Sequence, residues 1–438
     1  MEGQLLPVLR QKILDSLARP IPTFTRRDLR IPAIPGKAIA VTGMRRTGKT
    51  TFLWQVLSER VAAGLPREAS LLFDFDDERL AGMGADGLTA LVEQYYELYP
   101  QWRDSRRVTL LLDEIQLVPG WERFARRLLD SEKVELFLSG SSARMLSREI
   151  ASSMRGRAME ARMFPFSFRE FLRHQGREPA SADRLPKAGL SSLRRALREY
   201  LVIGGFPEAQ GAQTLDRLDL LRGYVDATLL RDVIERYAVS HPLALRHLTR
   251  QLLSNAAGQF SVNRYYNQLK SQGIPVSKDT LHAYLAYLED AFLVHGVWLA
   301  ADSERRRMSN PRKFYPADPG FIPIFDRSGR LQPGKALETV VLVELLRRGC
   351  EVTYVRSAEG FEVDFLARRP EGMQELVQVC AEMDEEATRE REVRALLAAG
   401  TEHPRARQVL ITLTPDSARD VPPSIHVHDA ARWLLMNA

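Results

Sequence analysis

Gly43-Met44-Arg45-Arg46-Thr47-Gly48-Lys49-Thr50, with Thr51 following, is the stretch whose reading decides the fold. The octet has the spacing GxxxxGK[ST]. It follows the apolar run Ala38-Ile39-Ala40-Val41 and leads into residues 50–62, whose pattern predicts a helix. Strand, glycine-containing loop and helix, in that order, let backbone N–H groups and a helix N-terminus cradle phosphates. Lys49 is then expected to reach the β- and γ-phosphates of ATP, and the Thr50 hydroxyl to bind Mg²⁺. The alternative, a glycine turn without a ligand, does not explain the strand and helix on either side.

Working outward, Val108-Thr109-Leu110-Leu111-Leu112-Asp113-Glu114 reads as an apolar strand ending in two carboxylates. The first is expected to orient the Mg²⁺ shell and the second to polarise the attacking water. Capping the next element is the simpler alternative for both. Val134 to Ser142 reads as a further strand ending in Ser139, Gly140 and Ser141. Ser139 or Ser141 is a candidate to hydrogen-bond the γ-phosphate or the water, and an N-cap for a helix over 143–150 accounts equally well for either. Strands are also predicted at 70–75 and 158–164. Alternation of strands with helices implies a parallel α/β sheet.

Composition sets the outer bounds. The chain has 438 residues, 45% apolar and 27% charged, which fits several soluble globular domains. It has no apolar run of about 18 residues or more, so a spanning helix and a membrane role are not expected. The amphipathic start (Leu5, Leu6, Val8, Leu9, Ile13, Leu14) lacks the build of a signal peptide. Cys350 and Cys380 have no metal-ligand spacing, and a reduced cytoplasmic setting is expected. There are 62 basic and 56 acidic residues, for a net charge of +6. That excess permits nucleic-acid binding without requiring it.

Beyond Pro165 the pattern turns helical, at 193–202, 215–237 and 243–254, interrupted by Gly204-Gly205-Phe206-Pro207. Residues 262–270 and 278–288 around a Gly273-Ile274-Pro275 turn read as a helix–turn–helix, with Ser277 as N-cap and Leu281, Leu285 and Leu288 as its buried stripe. Strands at 291–299 and 312–315 complete a winged helix. Lys278, His282 and Tyr284 are candidates to face a ligand. The basic loop of Arg305, Arg306, Arg307, Arg312 and Lys313 is a candidate DNA-phosphate contact, a solvated basic run being the alternative. The last segment has the layout of a restriction-endonuclease-like fold, which places a helix acid, an Asp on a hairpin and then (D/E)xK on the next strand. Glu338 and Asp364 match the first two positions. Gln378-Val379-Cys380 replaces both the third acid and the lysine, so nuclease activity is not expected.

GMRRTGKTT, LLLDEIQLVPGWE, LSGSSARMLS, MRGRAMEARMFPFSFREF, GGFPEA and LLRDVIERY, in that order, resemble bacterial and archaeal AAA+-type ATPases that carry a C-terminal domain of unknown function. The resemblance runs from about Lys37 to the helix after Val379. It implies an ASCE-type P-loop sheet with the roles above for Lys49, Thr50, Asp113 and Glu114. It also implies a possible homo-oligomer, in which Arg155 or Arg157 acts on the γ-phosphate of a neighbouring subunit, a surface ion pair being the alternative for each. For the Gly204–Pro207 motif it implies lid packing over the nucleotide, with a tight turn as the alternative. The expected layout is an N-terminal helix and linker (1–36), a P-loop ATPase core (37–175), a helical lid (176–250), a winged helix (251–325) and a degenerate restriction-endonuclease-like domain (326–438). A DNA-associated motor or remodeller and a STAND-like switch that binds a protein both fit this layout.

Overall fold

A computed structural model describes every residue except 1, 105–106, 141–153, 155, 182–183, 302, 327–331 and 437–438. The chain divides into two compact units, Met1–Met163 and Phe164–Ala438.

The strands of the first unit are β1 (Ala38–Thr42), β2 (Ser70–Asp74), β3 (Val108–Asp113), β4 (Val134–Gly140) and β5 (Ala158–Arg162). The inner strands are short apolar runs buried on both faces, as a parallel sheet requires, and β5 is a partly exposed edge strand. Together the strands make one five-stranded parallel sheet of order β2-β3-β4-β1-β5. Helices α1 (Glu2–Ala18), α2 (Lys49–Ala62), α3 (Ala85–Leu98) and α4 (Trp121–Ser131) accompany it. Period-two alternation sends Leu110 and Leu112 into one core with Leu9, Ile13, Tyr95 and Trp121, and Leu111 into the other with Val41, Phe52 and Phe137. The amphipathic start is therefore a packed helix of this unit.

The second unit opens with α5 (Phe168–His174), α6 (Lys187–Ile203) and α7 (Thr214–Ala227), which runs into a π-helical turn at Thr228–Glu235. Next come α8 (Pro242–Ser254), β6 (Gly258–Phe260), α9 (Val262–Ser271), α10 (Lys278–Asp290), β7 (Val294–Leu299), α11 (Glu304–Ser309) and β8 (Arg312–Pro316). Then follow α12 (Pro333–Arg347), β9 (Glu351–Arg356), β10 (Glu362–Arg368), β11 (Gln374–Cys380), α13 (Glu386–Glu402), β12 (Ala406–Thr412) and β13 (Ile425–Asp429). All eight strands share one sheet, β13-β12-β11-β10-β9-β7-β8-β6, so residues 251–325 and 326–438 are joined through the β7–β9 pairing.

Ser277 caps α10 as its sequence predicts, accepting the Thr280 N–H at 3.0 Å, and Leu281, Leu285 and Leu288 are buried. Tyr284 does not face a ligand. It is buried with them, and its hydroxyl accepts the His241 N–H, because the stripe on this helix is one residue wider than three leucines. The stretch between β7 and β8 is not a plain loop, since Arg305, Arg306 and Arg307 lie on α11, which Ser303 caps.

Gly204 and Gly205 act within the second unit. Gly204 ends α6 at φ 81°, where a Cβ would lie 1.8 Å from the Asp318 carboxylate. The Gly205 N–H donates to Asp318 at 2.7 Å and its carbonyl accepts the Phe166 N–H at 2.7 Å. The Gly320 N–H donates to the other Asp318 oxygen at 2.8 Å. Asp318 is buried. Burial pushes its carboxyl up to about 7, against the two amides, which lower it.

Asp318→Ala orphans two buried amides and should cost about 2–6 kcal/mol, at about 1–3 for each. Gly204→Ala should be at least as damaging, because strain and a carboxylate clash combine. A carboxyl raised in the folded state stabilises most when protonated. Part of the folding stability should therefore fall as pH climbs from about 4 through about 7. Urea melts across that range check this, and Asp318→Asn should flatten the decline.

Candidate functional site

Four chain segments build a site at the carboxyl ends of β1, β3 and β4, where ligands of open parallel sheets bind. The loop after β1 turns through left-handed backbone at Arg46 (φ 65°) and Gly48 (φ 93°). Gly43 passes so close to β5 that a Cβ would stand 2.2 Å from the Met163 carbonyl. Inside the curve, the Lys49 ammonium donates to the carbonyls of Gly43 at 3.1 Å and Met44 at 3.0 Å. The Thr47 hydroxyl donates to the Met44 carbonyl at 2.9 Å. From the segment before β1, the Arg27 guanidinium donates to the Thr47 carbonyl at 2.6 Å, and its backbone N–H donates to Gln55 of α2 at 2.7 Å. The N-cap of α2 is Gly48, with no side-chain acceptor for the first-turn amides. A positive helix terminus with a lysine beside it is an anion site.

The acidic side is assembled by strand order. Because β4 lies between β1 and β3, the ends of β3 and β4 adjoin. The Thr50 hydroxyl donates to Asp113 at 2.6 Å. The Ser139 hydroxyl donates to the other Asp113 oxygen and accepts the Glu114 N–H at 3.1 Å. Glu114 sits at φ 52°, a left-handed turn that carries its side chain off the strand line, and its carboxylate accepts from the Gln116 amide. Burial pushes the Asp113 carboxyl up to about 6, opposed by the Ser139 and Thr50 hydroxyls and reinforced by Glu114 and Asp74.

Lys49, Thr50, Asp113 and Glu114 thus converge as their motifs predict. Ser139, a candidate to reach a phosphate or water, lies on β4 beside β1, where its hydroxyl holds Asp113 and the Glu114 backbone. Ser141 and Arg155 lie outside the described residues. Arg157 pairs with Asp130 of its own chain. Sequence reasoning missed Asp74, Gln116 and Arg27. Asp74 ends β2 in register with Asp113, and burial raises its carboxyl. A search of all strand ends for carboxylates would have found it. Gln116 and Arg27 carry no sequence signal.

In the second unit, Glu338 and Asp364 are brought together as expected, and Glu362 joins them. The motif's lysine position holds Cys380, but an ammonium reaches the acids from elsewhere: Lys313 comes from β8 and lies within 3.2 Å of all three. Lys313 is therefore not a phosphate contact, and neither is Arg312, which pairs with Glu289 at 2.8 Å over the Trp298 ring. Arg307 also lies over Trp298, whereas Arg305 and Arg306 are exposed. Gln378 accepts the Asp364 N–H at 3.3 Å and donates to Glu392 at 2.6 Å, while the buried Cys380 thiol donates to the Glu382 carbonyl. Among the described residues no helix is long and apolar enough to cross a membrane.

The family described as "AAA domain" matches residues 35–172, and a domain of unknown function (DUF8612) matches 194–327. Protein MJ1544 of Methanocaldococcus jannaschii is 32% identical over 373 residues, 84% of this chain and 80% of that protein. A protein of Haemophilus influenzae is 28% identical over 346 residues, 79% of this chain and 82% of its own length. Among solved structures, the Walker-type ATPase PABY2304 of Pyrococcus abyssi aligns over 73% of this chain and 94% of its own, with 15% identity and a TM-score of 0.42. Nothing about this chain's activity follows from a likeness that distant.

Asp113 should titrate near 6 rather than near 3.8 in the nucleotide-free protein. Ser139→Ala should raise it further by removing a donor to the carboxylate. Carboxyl ¹³C shifts against pH measure this, and ionisation at the ordinary value would contradict the burial argument.

Proposed function

We infer that this chain, which belongs to the family of the Methanocaldococcus jannaschii protein MJ1544 and carries an AAA domain, binds ATP with Mg²⁺ and hydrolyses it. The observation that carries this reading is the Thr50–Asp113 pair at 2.6 Å beside the phosphate loop and its lysine. A hydroxyl and a carboxylate so placed fit a hard cation, which takes oxygen ligands. Mg²⁺ bound there supplies neutralisation of the phosphate charge. Lys49 leaves the Gly43 and Met44 carbonyls to bind the β- and γ-phosphates, and the first-turn amides of α2 hold their oxygens. Glu114, released from Gln116, takes the proton of the attacking water as the β–γ bond breaks. Ser139 keeps the two acids in register.

We favour a DNA-associated motor or remodeller. The order α8-β6-α9-α10-β7-α11-β8, with β8 antiparallel to both β6 and β7, supports the winged-helix reading. Arg305 and Arg306 on α11 are among its exposed cations, with Arg264, Lys270 and Lys278. A STAND-like switch that binds a protein is favoured by a different observation. Arg312 and Lys313, two of the five expected phosphate contacts, are engaged inside the fold.

Lys49→Ala should lose nucleotide affinity. Glu114→Gln should retain ATP and slow hydrolysis by about 10²–10⁴-fold, the usual worth of a positioned base. Nucleotide binding and phosphate release separate the two effects, and wild-type hydrolysis by Glu114→Gln would remove that residue from the mechanism. If the motor reading holds, DNA should stimulate hydrolysis. Replacing Arg305 and Arg306 with Ala should then weaken DNA binding and reduce the log–log salt slope by about two. Hydrolysis indifferent to DNA would favour the switch.

A further inference from the structure

A restriction-endonuclease-like fold implies a divalent cation among its acids. The acids of α12 and β10 converge on one point, and that point is the Lys313 ammonium. Its Nζ lies 2.8 Å from Glu362, 3.1 Å from Asp364 and 3.2 Å from Glu338. These are ammonium–carboxylate hydrogen-bond lengths, with the cation between all three acids and not beside them. The neighbouring oxygens are also engaged. The second Asp364 oxygen accepts the Val379 N–H at 3.0 Å. The Glu338 oxygen that meets Lys313 also accepts the Tyr315 hydroxyl at 2.7 Å. The second Glu362 oxygen accepts from Gln259 at 2.5 Å. The third acid position is Gln378, whose carbonyl faces the Asp364 backbone amide and whose amide faces Glu392, so no ligand comes from β11. Mg²⁺ needs roughly octahedral oxygens at about 2.0–2.1 Å. It cannot take this place while an ammonium holds it, and Lys313 is buried in the sheet.

We propose that Lys313 is the resident cation of this centre: the chain has taken the divalent-cation position into its own sequence, so the C-terminal α/β region is held together without metal and does not cut phosphodiesters. The ammonium stays protonated there. Burial alone would lower its pKa, but the three carboxylates outweigh burial and raise it. The cage also has a mechanical role. It fastens β8 to β10 and α12, and so ties the β7–β8 hairpin, with α11 between its strands, to the remainder of the sheet. The cage stands independently of the ATPase reading, since no residue of the first unit takes part.

The test uses the full-length protein without nucleotide, with Mn²⁺ as probe, read by paramagnetic resonance and thermal melting. Wild type should show no Mn²⁺ site that Asp364→Asn removes, no loss of melting temperature in EDTA, and no Mn²⁺-dependent cleavage of plasmid. Lys313→Met removes the ammonium but keeps the apolar stem. It should melt lower than wild type, gain one Mn²⁺ site and recover melting temperature when Mn²⁺ is added. The double variant Lys313→Met/Asp364→Asn should lose that site. Should Lys313→Met be insoluble, the wild-type measurements decide alone. An Mn²⁺ site or cleavage in wild type that depends on Asp364 overturns the proposal. So does a Lys313→Met protein that melts like wild type and takes up no Mn²⁺.

Discussion

The hydrogen bond from the Thr50 hydroxyl to Asp113 ties the first turn of α2 to the end of β3, and the geometry of the first unit follows from it. For these groups to meet, β3 must end level with the phosphate loop although β4 separates it from β1. The intervening strand then contributes Ser139, whose hydroxyl joins Asp113 and the Glu114 amide into one unit. Asp113 is buried, and desolvation works against its charge. Two hydroxyl donors partly offset that cost. A cation arriving beside Asp113 would favour its ionised form against that burial. Glu114 differs in that its left-handed turn carries it away from the strand and onto Gln116. Two adjacent carboxylates thereby acquire separate surroundings, the usual basis for separate roles.

The second unit handles buried charge in two contrasting ways. Lys313 keeps its charge because three carboxylates surround it. Leaving such a charge uncompensated would cost several kcal/mol. Asp318 is held by two backbone amides, with its carboxyl displaced towards neutrality. Both groups fasten segments distant in sequence. Lys313 joins β8 to β10 and α12, and Asp318 joins the turn after β8 to the glycine pair after α6. Arg312, next to Lys313, points the other way along the pleat, to Glu289 and Trp298. One dipeptide thus serves both sides of the sheet.

Most of the first unit was legible in the sequence. The central strands β1 and β3 carry apolar runs, and the loop and acidic strand end carry their chemistry in contiguous residues. The second unit was legible as elements but not as contacts. Short β6 and the terminal β13 gave too little pattern to be seen, and α11 was hidden in a basic run whose charge suggested a loop. The wing cluster was misjudged for a specific reason. Five neighbouring cations look alike in sequence, whereas pleat alternation and burial divide them into exposed Arg305 and Arg306, ring-stacked Arg307, and internally paired Arg312 and Lys313.

What the sequence alone determined is whatever local spacing dictates: the phosphate loop, the strand-end acids, the Ser277 cap and the leucine stripe of α10. These depend on residues within a turn or a strand of one another, where period and backbone preference act directly. Tertiary structure decided which distant groups neutralise one another. The acids at 338, 362 and 364 find their cation at position 313, and the glycine pair at 204–205 proves to be the receptacle for Asp318. Desolvation sets that requirement: a buried charge must be compensated, and the compensating group can come from any strand that the sheet brings alongside.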